Sequence, residues 1–114
     1  MSDCIFCKIV SGDIPAEIVY QDDDVLAFRD LQPQAPVHLL VIPKRHISTI
    51  NDLQADDAQL IGKLYLAAKQ LAADEGMAES GYRCVMNCND DGGQSVHHIH
   101  LHVLGKRQMN WPPG

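Results

Sequence analysis

The segment His98-Ile-His-Leu-His102 has the plainest chemical potential in this 114-residue chain. On an extended strand successive side chains alternate, so His98, His100 and His102 share one face while Ile99, Leu101 and Val103 take the other. With a rise of roughly 3.3 Å per residue, neighbouring imidazoles in such a row stand about 6.6 Å apart, and one small anion can touch two of them. His97 falls in the apolar-facing set and is expected to be packed or peripheral. Immediately upstream, Gly92 and Gly93 lack Cβ atoms and can expose successive backbone N–H groups, to which Gln94 and Ser95 add side-chain donors. Alone, such a bend is ordinary turn chemistry. Ahead of a histidine row it suits a phosphate ester, and an imidazole nitrogen there can attack phosphorus and carry a covalent intermediate. A second chemistry competes, because alternating histidines can also present two ligands to one metal, with Asp30, Asp90 and Asp91 as available carboxylates.

Cys4-x-x-Cys7 is half of a zinc site, and the same spacing serves buried structural cysteines or a redox pair. His38, His46, His97 and His98 are the candidates for a second half, and spacing does not choose among them. Cys84, inside an apolar run, reads as a core residue.

The elements that must position these residues follow from periodicity and breakers. Ser2 or Asp3 can cap a short helix through Cys4–Val10, with Gly12 as its stop; Cys4 and Cys7 lie on one face, and Ile5 and Ile9 on another with Phe6 beside them. Residues 18–20 and 25–28 read as a hairpin, and residues 38–42 as a strand ended by Pro43. Leu60, Ile61, Leu64, Ala67, Ala68, Leu71 and Ala72 mark one long helix between Leu53 and Glu75, closed by Gly76. Residues 82–87 and 95–104 complete five strands and two helices, with an antiparallel connection between the last two strands. The tail 106–114 lacks a pattern, and Trp111 within it is expected to need a surface to pack on.

With 46% hydrophobic residues the chain reads as a single domain over residues 1–114. A net charge of −6 argues against binding a nucleic-acid polymer, so any phosphate bound here is small and locally held. The opening residues show no basic segment followed by a long apolar run, which predicts a soluble, cytoplasmic protein with no membrane partner and reduced thiols.

The whole set of segments resembles the histidine triad (HIT) family in its Hint branch. The resemblance is carried by His98-Ile-His-Leu-His-Val-Leu, Phe28-Arg-Asp-Leu, Pro33-Gln-Ala-Pro-Val-His38, Ile42-Pro-Lys-Arg-His46, Gly81-Tyr-Arg, Gly92-Gly-Gln-Ser95 and Trp111-Pro-Pro-Gly. It implies an α+β fold, a five-stranded antiparallel sheet that pairs with its copy in a homodimer, and a nucleoside phosphoramidase acting on purine nucleoside 5'-monophosphoramidates and related adenylates. It further implies His100 as nucleophile, His102 and Ser95 beside the α-phosphate, and Asn87, Gly93 and Gln94 completing the cradle. The carbonyl of His98 would orient His100, and Ser95 and His38 match positions linked to protonation of the leaving group. Asp30 would take the ribose hydroxyls, Ile5, Phe6, Ile9, Phe28 and Leu31 the base, and the Trp111 tail would reach the partner's site. The implied metal is a structural zinc on Cys4, Cys7, His46 and His98, with no organic cofactor. Two other readings remain at this point: a metal-dependent phosphohydrolase using the same row, and a nucleotide-binding or protein-interaction module with vestigial catalysis.

Overall fold

A computed structural model describes residues 3–114. The sheet has five antiparallel strands in the order β1-β2-β3-β5-β4, with β1 at Ile18–Gln21, β2 at Val25–Arg29, β3 at Val37–Pro43, β4 at Tyr82–Val85 and β5 at Leu101–Gly105. The α+β class, the first hairpin and the antiparallel pairing of the last two strands are as the sequence predicts. Alternation along the central strands builds two separate cores. Leu39, Val41, Leu101 and Val103 face helix α2 (Ala58–Asp74) together with Leu64, Ala68 and Leu71. Leu26, Phe28, Leu40 and Ile42 face helix α1 (Ile5–Ser11), which contributes Phe6 and Ile9. No helix among the described residues is long and apolar enough to cross a membrane.

Several boundaries differ from the sequence reading. The cap of α1 is Cys4, whose Sγ accepts the Cys7 N–H at 3.4 Å; Asp3 does not fill that position, and Ser2 lies outside the described residues. Gly12 ends this helix at φ 87°, as expected. The long helix starts at Ala58 rather than near Leu53, because 3-10 turns at Ile50–Asp52 and Ala55–Asp57 precede it. In both turns an aspartate carboxylate accepts a backbone N–H three residues back, an alternative to continuing the helix. Gly76, at φ 75°, then closes α2 while Met77 N–H bonds to the Ala72 carbonyl.

Strand β5 starts six residues later than Ser95. Continuing the β3–β5 register past Val41 and Leu101 would set Ile99 against Pro43, which has no N–H to donate. Ile99 N–H bonds instead to the Ile47 carbonyl at 2.8 Å. The other end of β5 is tight: a Cβ on Gly105 would overlap the sulfur of Met77, a fully buried side chain. Gly105→Ala is therefore expected to destabilise the fold by about 1–3 kcal/mol, read as a lower urea midpoint with an unchanged denaturant slope.

Candidate active site

Histidines 98, 100 and 102 start from one face of the chain and take three different partners. His98 is fully buried; its Nε2–H donates to the Pro43 carbonyl at 2.8 Å, so its Nδ1 lone pair points the other way. His100 donates Nδ1–H to the His98 carbonyl at 2.8 Å, and this leaves Nε2 with the lone pair. The ring is held edge-on by Phe6 at 5.1 Å between centroids, and the His102 ring lies 4.9 Å away. Burial holds the His100 pKa below its ordinary value, against the bond to His98, so its imidazole stays neutral at neutral pH.

His102 belongs to a chain of imidazoles whose tautomers the backbone sets. Gln34 N–H donates to His38 Nδ1 at 3.0 Å, which makes that nitrogen the acceptor and puts the His38 proton on Nε2. That Nε2–H meets His102 Nδ1 at 2.9 Å, and His102 in turn carries its proton on Nε2. Asp30, 3.4 Å from His38 Nε2, flanks the pair. Asp30, His38 and His102 stand close enough to hold a metal ion. The Gln34 donor works against that use, because it leaves His38 with an N–H rather than a lone pair facing the trio.

A cavity of about 330 Å³ opens on this face. Ile5, Phe6, Ile9, Phe28, Leu31, Leu40 and Val96 form its apolar part, and Asp30, Gln32, Ser95, His100 and His102 the rest. Of the residues expected to bind a nucleotide, Ile5, Phe6, Ile9, Phe28, Asp30, Leu31, Ser95, His100 and His102 meet there. Asn87, Gly93, Gln94 and Trp111 do not line it, and His38 stands behind His102. The glycine bend is not the open cradle that its composition suggests. Residues Asn89–Gly92 form a helical turn, α3, whose end uses the Gly93 and Gln94 N–H groups on the carbonyls of Asp90 and Asn89. The Gln94 amide is equally committed, accepting Asn89 N–H at 2.9 Å and donating to the carbonyls of Ser48 and Val96 at 2.7 and 3.0 Å. Trp111 is 82% exposed; Lys106, at φ 72°, turns the tail out of β5. His97 is exposed, and Cys84 packs half-buried against the α2 core. Gln34 and Leu40 escaped the sequence reading. Leu40 shares a face with His38 by simple alternation, whereas Gln34 acts through a backbone N–H and leaves no side-chain signal.

The second cluster joins Cys4 and Cys7 of α1 to His46 and His98. Cys4 Sγ is 3.4 Å from His98 Nδ1, Cys7 Sγ is 3.3 Å from His46 Nδ1, and the two Nδ1 atoms are 3.2 Å apart. Four ligands at roughly 2.0–2.3 Å from one tetrahedral centre would be separated by about 3.3–3.8 Å, so the four atoms fit the edges of a zinc tetrahedron. Both histidines are braced through their other nitrogen, His98 on Pro43 and His46 on Ser48 Oγ at 3.1 Å, as metal-ligating imidazoles are. The fold thereby selects His46 and His98 from the four histidines that spacing left open.

An antiparallel α+β domain with a histidine cluster beside an apolar-walled cavity defines the class. The HIT domain family model matches residues 11–109, and the chain belongs to that family. It is 54% identical over 112 residues to an uncharacterized HIT-like protein of Synechococcus elongatus, covering 98% of this chain and 97% of that protein. It is 51% identical over 107 residues to the purine nucleoside phosphoramidase of Escherichia coli, covering 94% and 90%. Among solved structures, a HIT family hydrolase from Legionella pneumophila superposes with a TM-score of 0.97 at 59% identity, covering 98% of this chain and all of that one.

Burial of His102 makes folding sensitive to acid. Its pKa falls from 6.5 to about 4, chiefly by desolvation and then by the neighbouring charges of His100 and His38. The unfolded chain takes up a proton below pH 6.5 that the folded chain refuses until about pH 4, so this contribution to stability is present above 6.5 and lost as pH falls. Between about pH 7.5 and pH 5 the loss from this group is expected to be about 2 kcal/mol at most, less where solvent reaches the ring. His102→Gln should flatten the fall, as measured by urea midpoints across that range.

Proposed function

We propose that this HIT-domain hydrolase cleaves the P–N bond of purine nucleoside 5'-monophosphoramidates, and the corresponding bond of related aminoacyl and acyl adenylates, through a nucleotidyl-His100 intermediate. One observation carries the reading: the His98 carbonyl holds His100 Nδ1–H, so the nitrogen left with a lone pair belongs to a neutral ring lining the cavity. His100 Nε2 attacks the α-phosphorus, forming an N–P bond as the bond to the amine breaks and the amine leaves with a proton. Water then attacks phosphorus, His100 departs, and the nucleotide is released. His102 donates Nε2–H to a phosphoryl oxygen, and Ser95 and His38, the latter acting through His102, are the two groups that can pass a proton to the leaving amine, a proton restored by the water that attacks in the second step.

The base enters the slot of Ile5, Phe6, Ile9, Phe28 and Leu31, and Asp30 accepts the ribose hydroxyls. Asn87, Gly93 and Gln94 complete the phosphate side, Gly93 and Gln94 also fixing the bend that carries Ser95. Cys4, Cys7, His46 and His98 hold a structural zinc, which when bound cross-links α1 to the bend before β5. The protein works as a cytoplasmic homodimer, where thiols stay reduced; β4 is an edge strand, and the exposed Trp111 tail extends to the partner's site.

His100→Ala is expected to lower turnover of a fluorogenic adenosine phosphoramidate by at least about 10³-fold. Rapid quenching of the native protein should trap a nucleotide mass adduct that the variant lacks. Nucleotide binding without turnover or adduct would point to a binding module instead. Metal-free protein is expected to take up a single zinc ion per chain by native mass spectrometry, and Cys7→Ser to lose that uptake. Turnover that persists in folded, metal-free protein would separate this mechanism from a metal-dependent phosphohydrolase.

A further inference from the structure

The C-terminal tail is tied to the His38–His102 pair through the loop between β2 and β3. Past the turn at Lys106, Arg107 Nε donates to the Gln34 carbonyl at 3.0 Å, and Nη1 lies 3.4 Å from the Gln108 carbonyl. On the other side of the same Cα, Gln34 N–H is the donor to His38 Nδ1. The loop is braced from within, where Asp30 Oδ1 accepts Gln32 N–H at 2.8 Å and the Gln32 carbonyl accepts Gln34 Nε2 at 3.0 Å. Pro33 and Pro36 stiffen it further by restricting their own torsions and those of the residues before them. Arg107 supplies an anchor from a different part of the chain, fixing the peptide unit that follows Gln34 while the unit that precedes it meets the imidazole.

We propose that Arg107 is a positioning residue: by holding the Gln34 carbonyl it keeps Gln34 N–H on His38 Nδ1, so that His38 stays protonated on Nε2 and His102 offers an N–H, not a lone pair, to the phosphoryl group. Without the Gln34 donor, His38 is free to take the other tautomer, and the order of protons along the pair can reverse. His102 would then face an anionic phosphate with a lone pair, the wrong polarity for stabilising it. Arg107 does not line the cavity and acts only through Gln34 and His38. Its guanidinium is permanently charged and planar, so the tether does not titrate, and a lysine would replace its charge but not its geometry. The conformation of the tail and the proton order of the catalytic pair are thereby linked.

The role of the pair in turnover rests on the phosphoramidase reading, whereas the tautomer is read without substrate. Imidazole ¹⁵N spectra of the wild-type protein are expected to show His38 and His102 as single Nε2–H tautomers. In Arg107→Ala, an exposed substitution whose fold circular dichroism verifies, His38 should lose its single-tautomer signature. Turnover number should then fall about 3–10-fold with little change in KM, and Arg107→Lys should recover part of both. Arg83 binds the tail elsewhere, through the Asn110 carbonyl at 2.9 Å, so Arg83→Ala should leave the wild-type imidazole signature intact. An unchanged His38 signature in folded Arg107→Ala overturns the proposal, as does equal loss in Arg83→Ala. A wild-type protein with the expected tautomers but no phosphoramidase turnover would sink the functional reading and leave the Arg107 tether standing.

Discussion

The bond from His100 Nδ1 to the His98 carbonyl is the contact on which the site depends. It decides which nitrogen of His100 keeps its lone pair, and it places the residue that orients His100 inside the protein rather than at the surface. His98 is free to do this because its own ring is occupied twice, by Pro43 on one nitrogen and by the cysteine–histidine cluster on the other. A single buried residue thus connects helix α1, the end of β3 and the start of β5. Movement in any of these would be transmitted to the His100 ring.

The two faces of the sheet divide the work of stability and chemistry. On the α2 side Ile99, Leu101 and Val103 join a continuous aliphatic core, which anchors the backbone of the histidine segment by apolar burial. The α1 side is thinner, and its apolar residues serve both as the cover of a smaller core and as the wall of the cavity. Phe6 illustrates the overlap: it packs on Phe28 at 5.4 Å and on His100 at 5.1 Å. Polar order on this face comes from backbone groups, Gln34 N–H on one side and the carbonyls of Pro43 and His98 on the other. Such donors and acceptors hold imidazoles in one tautomer without adding another titrating group.

Much of this was legible in the sequence because its causes are local. The alternation of His98, Ile99, His100, Leu101 and His102 gave the correct faces, and Gly12 and Gly76 marked true helix ends. The glycine bend misled, since Gly92 and Gly93 fit an open anion nest and a helical turn equally well, and only the bonds to Asn89 and Asp90 distinguish them. The start of β5 was misjudged because a strand needs a donor opposite it, and that Pro43 would stand against Ile99 is a matter of register.

By itself the sequence determined the strands and helices, the apolar faces and the residue types able to do chemistry, since periodicity, turn residues and side-chain type are properties of short segments; the α+β class came with the family resemblance. The tertiary structure decided what spacing left open: that His46 and His98 join the cysteines, as the family resemblance implied, and which nitrogen of His38 and of His102 carries the proton. It also decided that the tail reaches Gln34. The cysteine cluster and the tail contact depend on groups separated by tens of residues, and the imidazole tautomers on backbone N–H and C=O atoms, which every residue type but proline supplies alike.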